Sequence, residues 1–537
     1  MKNYFELIKK LKCIKISVVL MIFKVFQVLL SLWFALMMKK VIDDALNNPD
    51  SFMMNAILLC IVLGLQILMK SVTYYLEHTF ENKINTELKQ SLFNQVINGD
   101  FYVMNKYQGG ELMNRFSQDT SNLSHTIASQ IPNFVMMIIR IVCVLIVIMM
   151  MEARLAIILV VGGMLSIVCA WVVKKYLRKV QVQLQKDEDQ VQAYVNECFH
   201  SLLIIHSFHK QEQLGKIHQN KLEQWKQSVK KRIQMINLFD TCLNIAVNVG
   251  YALGFLYSVY GVICNLLSIG SISAMVSLIG QIQGPFVSIG LMLPSLIAFS
   301  TSYERVKELF IQEEKENKRT VDYNKIEKIV FEDVCFAYDK KLVLDHFNLE
   351  IKKNEKVAIV GYSGVGKSTV LKLMMNLYPI QSGRIYIKCH DEEINIQDIE
   401  HGLFAYVPQD IKLMSGTIKE AIAFGCQEID IDKVKQCANL ACIDEFIEGL
   451  EKQYDTYIKE FGASLSGGQM QRIAIARALY SDCKVLLFDE ATASLDPKLE
   501  KQLLQKIKTI DNKTLIIVSH REEVMKNVDR CIVQSEV

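Results

Sequence analysis

Proline is scarce in this sequence, with 7 among 537 residues, and glycine is limited to 25. Together with a 51% hydrophobic and 22% charged composition, that scarcity excludes collagen-like repeats, Pro-rich linkers and low-complexity disorder. The 14 cysteines form no Cys-x-x-Cys pair and no His/Cys cluster at metal-ligand spacing. They read as reduced thiols, cytosolic or membrane-buried, that pack as small hydrophobes. Basic and acidic residues number 60 and 57, a net charge of +3, which leaves no footprint for nucleic acid. Charge is missing altogether from the 63 residues between Asp240 and Glu304, a stretch that cannot face water. The length itself corresponds to several domain-sized units.

A bilayer core takes about 20 predominantly apolar residues per helix, and six runs reach that length. They cover residues 16–38, 53–76, 131–151, 155–173, 236–263 and 272–300, the uncharged stretch dividing near Cys264 to Gly270. Their number excludes a signal peptide. Lys2, Lys9, Lys10, Lys12 and Lys15 precede the first run, and Lys174, Lys175, Arg178, Lys179, Lys226, Lys230, Lys231 and Arg232 bound the loop after the fourth. That bias predicts both on the cytoplasmic side, with the chain returning there before residue 304. Lys39 and Lys40 run against it, beside Asp43, Asp44 and Asp50.

Residues 77–130 and 174–235 are too long for structureless loops, and their mixed charge with almost no Pro or Gly predicts membrane helices continuing into the cytosol. The expected reversals lie near Gly109, Gly110 to Thr120 and near Glu197 to Ser207. A basic residue at the bilayer centre costs about 2.5–3.5 kcal/mol on insertion scales. Arg140 reads either as facing a cavity that meets a polar substrate or as snorkelling to inner-leaflet phosphates, and Lys24 and Lys70 read as interfacial. Gln281, Gln283, Gly284 and Pro285 mark a break in the sixth span, either a hinge or cavity wall or a simple proline kink.

After a charged linker at residues 311–328 the composition becomes that of a soluble α/β domain. Lys356 to Val360 is an apolar run of the kind buried in a parallel sheet. Gly361, Tyr362, Ser363, Gly364, Val365, Gly366, Lys367, Ser368 and Thr369 follow it, ahead of a helical segment from Val370. Strand, glycine-rich loop and helix are the setting of a phosphate-binding P-loop. Glycines let backbone N–H groups converge on phosphate oxygens, and the helix N-terminus adds its positive end. Lys367 then reaches the β- and γ-phosphates of a nucleotide, and the Ser368 hydroxyl ligates Mg²⁺. A second apolar strand, Lys484 to Phe488, ends in Asp489, placed to hold Mg²⁺, and Glu490, placed to polarise an attacking water. A third ends at His520, whose imidazole can contact the γ-phosphate or orient Glu490.

Leu465-Ser466-Gly467-Gly468-Gln469, followed by Gln471-Arg472 and Ala476-Arg477-Ala478, resembles the signature motif of ATP-binding cassette (ABC) transporters. The resemblance covers nearly the whole chain. It implies that Tyr338 stacks on adenine, that Gln409 in Tyr-Val-Pro-Gln is the Q-loop residue, and that Glu490 is the catalytic glutamate. It further implies Ser494-Leu495-Asp496 as the D-loop, His520 as the switch histidine and Glu460 as the acidic residue of the exporter X-loop. Gly110-Glu111-Leu112 and Arg115 to Asp119 are similar to the first internal loop of the family's six-span domain. Two positions depart from the pattern. Asn354 stands where the family usually has Gly, and Arg530 to Val537 ends the sequence where family members usually continue with another hairpin and a terminal helix.

The resemblance implies a multidomain membrane protein of the exporter type. An all-α, six-helix transmembrane domain at residues 1–310 precedes the linker at 311–328 and an α/β P-loop NTPase cassette at 329–537. It implies ATP and Mg²⁺ as cofactors, with Ser368, Gln409 and Asp489 at the metal and Lys367, Gln409, Glu490 and His520 catalytic. Ser466, Gly467, Gly468, Gln469 and Asp496 of one chain would complete the nucleotide site of a second. Both faces of that site are intact here, which favours a homodimer over pairing with a different half-transporter. The implied function is ATP-driven export of a hydrophobic or amphipathic drug, lipid or peptide by alternating access, in the cell membrane, with both termini cytoplasmic. Import on the same scaffold and an ATP-gated channel or regulator are the alternatives. The sequence shows no peptidase-like domain before the first span, which disfavours a leader-cleaving peptide exporter.

Overall fold

The computed structural model describes residues 14–534, apart from 48, 108, 311–318, 339–340, 363, 391, 400–401, 460–461 and 463; many positions in 155–178 and 283–297 are described by backbone alone. The chain divides into two compact units, Met1–Asn98 with Gln108–Ile311, and Gly99–Tyr107 with Gln312–Val537.

The first unit is built from long helices: α1 (Ile14–Asn47) and α2 (Pro49–Asn98), and, after the short α3 (Phe101–Met104) that groups with the second unit, α4 (Gly109–Met151). Then follow α5 (Ala153–His200), the short α6 (Leu202–Ser207), α7 (Gln211–Ile263) and α8 (Ile269–Phe310). Each of the six apolar runs lies inside one long helix. Among the described residues, Lys15–Asn47, Pro49–Asn98 and Gly109–Met151 are long and apolar enough to cross a membrane. The 50 residues of α2 extend about 75 Å at 1.5 Å per residue. A hydrocarbon core is about 30 Å thick, so more than half of α2 continues beyond it. Met53, Met54, Ile57, Ile61, Ile67 and Leu68 stand exposed along its apolar half, a surface that requires lipid or a partner helix to cover it. Inside the bundle, Val28 and Leu32 of α1, Val144 and Ile148 of α4 and Met275 and Leu278 of α8 form a shared core.

Two expectations need correction. The first reversal falls at Gly99–Tyr107 rather than at 109–120. Asp100 caps α3 by accepting from Tyr102 N–H at 2.9 Å, while Gly109 already begins α4, which absorbs two π-helical turns at Arg115–Asp119 and Thr126–Gln130. No break interrupts α8 at Gly284 or Pro285; the side chain of Gln283 lies outside the described residues. Lys24 is buried between helices, beside residues at the ends of the second and third apolar runs. Its Nζ donates to Glu77 Oε2 of α2 at 2.6 Å and to Asn133 Oδ1 of α4, an ion pair that neutralises both charges away from water.

A second polar cluster ties the start of α4 to the end of α8. Arg115, 4% exposed, donates from Nη2 to Glu111 at 2.8 Å and to Glu308 at 3.1 Å, and from Nη1 to the Arg305 carbonyl. The fully buried Asp119 accepts from Ser302 Oγ at 2.7 Å and Arg305 Nη2 at 2.8 Å.

Among the described residues the second unit holds three sheets, the smallest an antiparallel ribbon of β7 (Gly416–Thr417) and β8 (Tyr457–Ile458). An antiparallel sheet contains β1 (Ile326–Tyr338), β2 (Lys341–Lys352), β4 (Ser382–Cys389) and β5 (Glu393–Asn395) in the order β2-β1-β4-β5. A parallel sheet contains β3 (Lys356–Val360), β6 (Phe404–Val407), β9 (Val485–Asp489), β10 (Thr514–Val518) and β11 (Arg530–Val533) in the order β11-β3-β10-β9-β6. β9 and β10 are buried at all five positions, as strands covered on both faces must be. Asn354, at the turn between β2 and β3, adopts a φ of 60°. Among residues with a side chain, Asn tolerates this left-handed turn best, and its Oδ1 also accepts from Tyr323 Oη at 3.0 Å. The departure from Gly is thereby accommodated.

Candidate functional site

The parallel strands end at one cluster of loops, as doubly wound sheets do. β3 passes into the P-loop, and α9 (Lys367–Met374) begins directly after it with Gly366 as its N-cap. Gly366 has a φ of 100°, and a Cβ there would stand 2.7 Å from Val343 Cγ1, so only glycine serves. The Lys367 side chain is buried and turned onto its own loop. Its Nζ donates to the carbonyls of Gly361 at 2.9 Å and Tyr362 at 2.6 Å. Ser368 Oγ donates to Asp489 Oδ1 at 2.7 Å, joining the start of α9 to the end of β9 across 121 residues of sequence. Val365 and Thr369 are buried beside them, Tyr362 is exposed, and Ser363 and Glu460 lie outside the described residues.

Asp489, 2% exposed, accepts a second bond from Tyr406 Oη at 2.8 Å. Burial first, and then the neighbouring Asp489 carboxylate, push the Tyr406 phenol well above its ordinary pKa, so it stays protonated and donates. The next residue, Glu490, has a φ of 49°, a strained conformation for a residue with a side chain. Its backbone is fixed on each side: the N–H donates to Val518 O at 3.0 Å, and the carbonyl accepts from Ala493 N–H at 3.0 Å and Gln471 Nε2 at 3.4 Å. Its carboxylate accepts from Gln409 Nε2 at 2.8 Å and lies 3.7 Å from His520 Nδ1. Lys367, Ser368, Gln409, Asp489, Glu490 and His520 therefore meet around one set of strand ends.

The signature residues sit elsewhere on the same unit. Three short helices, α10 (Ile418–Ile422), α11 (Ile431–Leu440) and α12 (Asp444–Glu448), precede α13 (Gly467–Tyr480), which Ser466 caps through a reciprocal box with Gln469. Gln469 Oε1 accepts from Ser466 N–H at 2.8 Å. Gly468 packs against the loop after β9, where a Cβ would come 3.0 Å from Ser494 O. Ser466 and Gly467 are exposed. Among the described residues none of the four bonds to the P-loop, so the positive N-terminus of α13 faces outward. Asp496 caps α14 (Pro497–Lys508), accepting from Leu499 N–H at 3.0 Å. Tyr338 packs edge-on with Phe336 at 4.8 Å and Tyr378 at 5.2 Å between ring centroids. Tyr378 in turn meets Phe101 and Tyr102 and accepts from Asn105 Nδ2 at 3.1 Å.

Residues 14–286 match the family model of the ABC transporter transmembrane region, and residues 344–493 match the family model described as ABC transporter. The chain belongs to the ABC transporter family. It is similar to an uncharacterized ABC transporter ATP-binding protein, YknV, of Bacillus subtilis, with 26% identity over 92% of this chain and 83% of the relative. It is similar to the ATP-dependent lipid A-core flippase of Syntrophus aciditrophicus at 25% identity over 93% and 84%. The leukotoxin translocation protein LktB of Mannheimia glucosida is 36% identical over 51% of this chain and 39% of its own length. A bacterial Atm1-family ABC exporter solved with ATP bound shares the fold, with a TM-score of 0.83, 21% identity and coverage of 98% and 94%.

As an ABC transporter the chain is a membrane protein that binds and hydrolyses ATP. The geometry fits nucleotide and Mg²⁺. Lys367 is surrounded by neutral carbonyls, which leaves its charge for a phosphate, and Ser368 and Asp489 supply the oxygen donors that Mg²⁺ prefers. Sequence reasoning missed Tyr406, although it lies three residues before Gln409, and Gln471, whose Oε1 also accepts from Ser494 N–H at 3.1 Å. It also missed Gln534, whose Nε2 donates to the Val365 carbonyl at 2.8 Å. Gln471 carried a signal in its place beside the signature, and Tyr406 in its place within Tyr-Val-Pro-Gln; Gln534 carried none.

Proposed function

We propose that this ABC transporter is a half-transporter that exports a hydrophobic or amphipathic substrate across the cell membrane by alternating access, working as a dimer with cytoplasmic termini. The bond from Ser368 to Asp489, beside the Gln409–Glu490–His520 group, is the observation that carries the ATPase part of this reading. Bound ATP with Mg²⁺ supplies the phosphoanhydride to be cleaved and the charge that draws two cassettes together. Lys367 leaves its loop carbonyls for the β- and γ-phosphates, backbone N–H groups of residues 364–369 cradle them, and Tyr338 stacks on adenine. Ser368, Asp489 and Gln409 would hold Mg²⁺, which supplies positive charge against the phosphates. Glu490, kept in its strained turn, accepts a proton from the attacking water, and His520 orients that carboxylate.

The exposed Ser466–Gln469 box and Asp496 complete the site of the second chain, their helix N-terminus facing its γ-phosphate. Intact motifs on both faces favour two copies of this chain, with a different half-transporter as the other pairing. A lipid, drug or peptide is the substrate class, consistent with relatives named for lipid A-core and leukotoxin. The test is flux in proteoliposomes with cassettes facing outward. Export predicts ATP-dependent movement of a fluorescent lipid or amphipathic dye from the cassette side to the lumen. Movement the other way would mean import, and ATP hydrolysis with no probe moved in either direction would favour a gated regulator.

A further inference from the structure

The β1–β2 hairpin carries a side-chain cluster that the ATP chemistry does not use. Between the pairs Val334↔Phe347 and Phe336↔Leu344 the register slips, so that the single residue Cys335 stands opposite two, Asp345 and His346. A bulge of this kind re-aims side chains. Cys335 Sγ, an Asp345 carboxylate oxygen and a His346 ring nitrogen lie within 4.8 Å of one another. Cys335 Sγ is 3.7 Å from Asp345 Oδ1, and His346 Nε2 is 3.8 Å from the same oxygen. His346 Nδ1 is 2.6 Å from Asp333 Oδ1. A carboxylate only accepts, so Nδ1 carries the hydrogen and the Nε2 lone pair is directed away from Asp333.

A metal ion bound at Sγ displaces the thiol proton. Tetrahedral zinc has bonds of about 2.3 Å to sulfur and about 2.0–2.2 Å to nitrogen and oxygen, which sets ligand edges of roughly 3.4–3.6 Å. The two edges to Asp345, 3.7 Å and 3.8 Å, need to contract by a few tenths of an ångström, and the sulfur-to-imidazole edge closes from within 4.8 Å by rotation of the exposed His346 side chain. The His346 backbone N–H, 3.3 Å from Sγ, supports a thiolate, and Asp333 on Nδ1 is the outer carboxylate that metal-bound imidazoles commonly carry. Thiolate and carboxylate together hold two negative charges against one divalent cation. The mixed sulfur, nitrogen and oxygen set suits zinc and its neighbours over Mg²⁺ or Ca²⁺, which take oxygen alone.

We propose that Cys335, Asp345 and His346 form a three-ligand site for a divalent transition metal of the zinc class, with Asp333 as its outer carboxylate and a fourth position open to water. The bound ion would cross-link β1 to β2 three residues before Tyr338. The sequence hid the site because its donors lie ten and eleven residues apart and only the hairpin register unites them.

The test is titration of the full chain, purified in lipid nanodiscs and stripped by chelator, with Co²⁺ alone. One equivalent should bind with tetrahedral d–d bands and a thiolate-to-cobalt charge-transfer band. Cys335→Ser, with every other cysteine retained, should lose the charge-transfer band, and Asp333→Asn should weaken binding by about 10–100-fold. His346→Gln, altering a side chain that is 70% exposed, should do so too, and it keeps the test usable if Cys335→Ser does not fold. A parent chain without the tetrahedral spectrum, or a Cys335→Ser or His346→Gln chain with an unchanged one, would overturn the proposal.

Discussion

Two buried lysines, one in each unit, separate structure from chemistry. Lys24 in the helical bundle and Lys367 in the cassette are 6% and 5% exposed. Lys24 is answered by a carboxylate, Glu77, and by Asn133. Lys367 meets only the carbonyls of Gly361 and Tyr362 among the described residues. A buried ammonium paired with a carboxylate is neutral in effect and holds helices together. One held by neutral dipoles keeps its charge available for an anion. The same residue type, equally buried, is thus a fastener in one unit and a phosphate ligand in the other.

The comparison breaks first, if it is wrong, at Lys24. Lys24→Met strands Glu77 inside the bundle and should cost about 3–5 kcal/mol of stability, read as a lowered thermal midpoint in detergent. Lys24→Met with Glu77→Gln should recover most of it, and no recovery would show that the pair is not the reason. Lys367→Met should do the reverse: hydrolysis falls by about 10²–10³-fold while the thermal midpoint without nucleotide holds. A matching loss of stability would erase the distinction.

Smaller effects sharpen the picture within the cassette. Tyr406→Phe removes one of two donors to buried Asp489, worth about 1.5–3 kcal/mol for a bond to a charged group. A raised Mg²⁺ requirement in the ATPase assay is the expected sign. Asn354→Ala places a residue poorly suited to the left-handed turn and removes the bond from Tyr323, so the cassette should lose about 1–2 kcal/mol, measurable by denaturant titration.

What the sequence revealed follows the same division. The P-loop, Asp489, Glu490 and the signature are contiguous motifs whose spacing is itself the chemistry. The partner of Lys24 lies 53 residues away and that of Tyr406 lies 83 away, pairings that only tertiary packing makes. Gly109 and Gly110 read as the first turn because glycine breaks helices. The turn instead uses Asn98-Gly99-Asp100, where Asp100 satisfies an orphan N–H. Pro285 read as a break, yet α8 continues through it, since a helix can forgo one backbone bond where neighbours support it.

Glu490 is where the account is most exposed. ATP turnover and nucleotide retention should be measured side by side on wild-type and Glu490→Gln chains in lipid nanodiscs. Hydrolysis should fall by about 10²–10⁴-fold, the range of a lost general base, with ATP still bound and retained for longer. Turnover within a few-fold of wild type would contradict it.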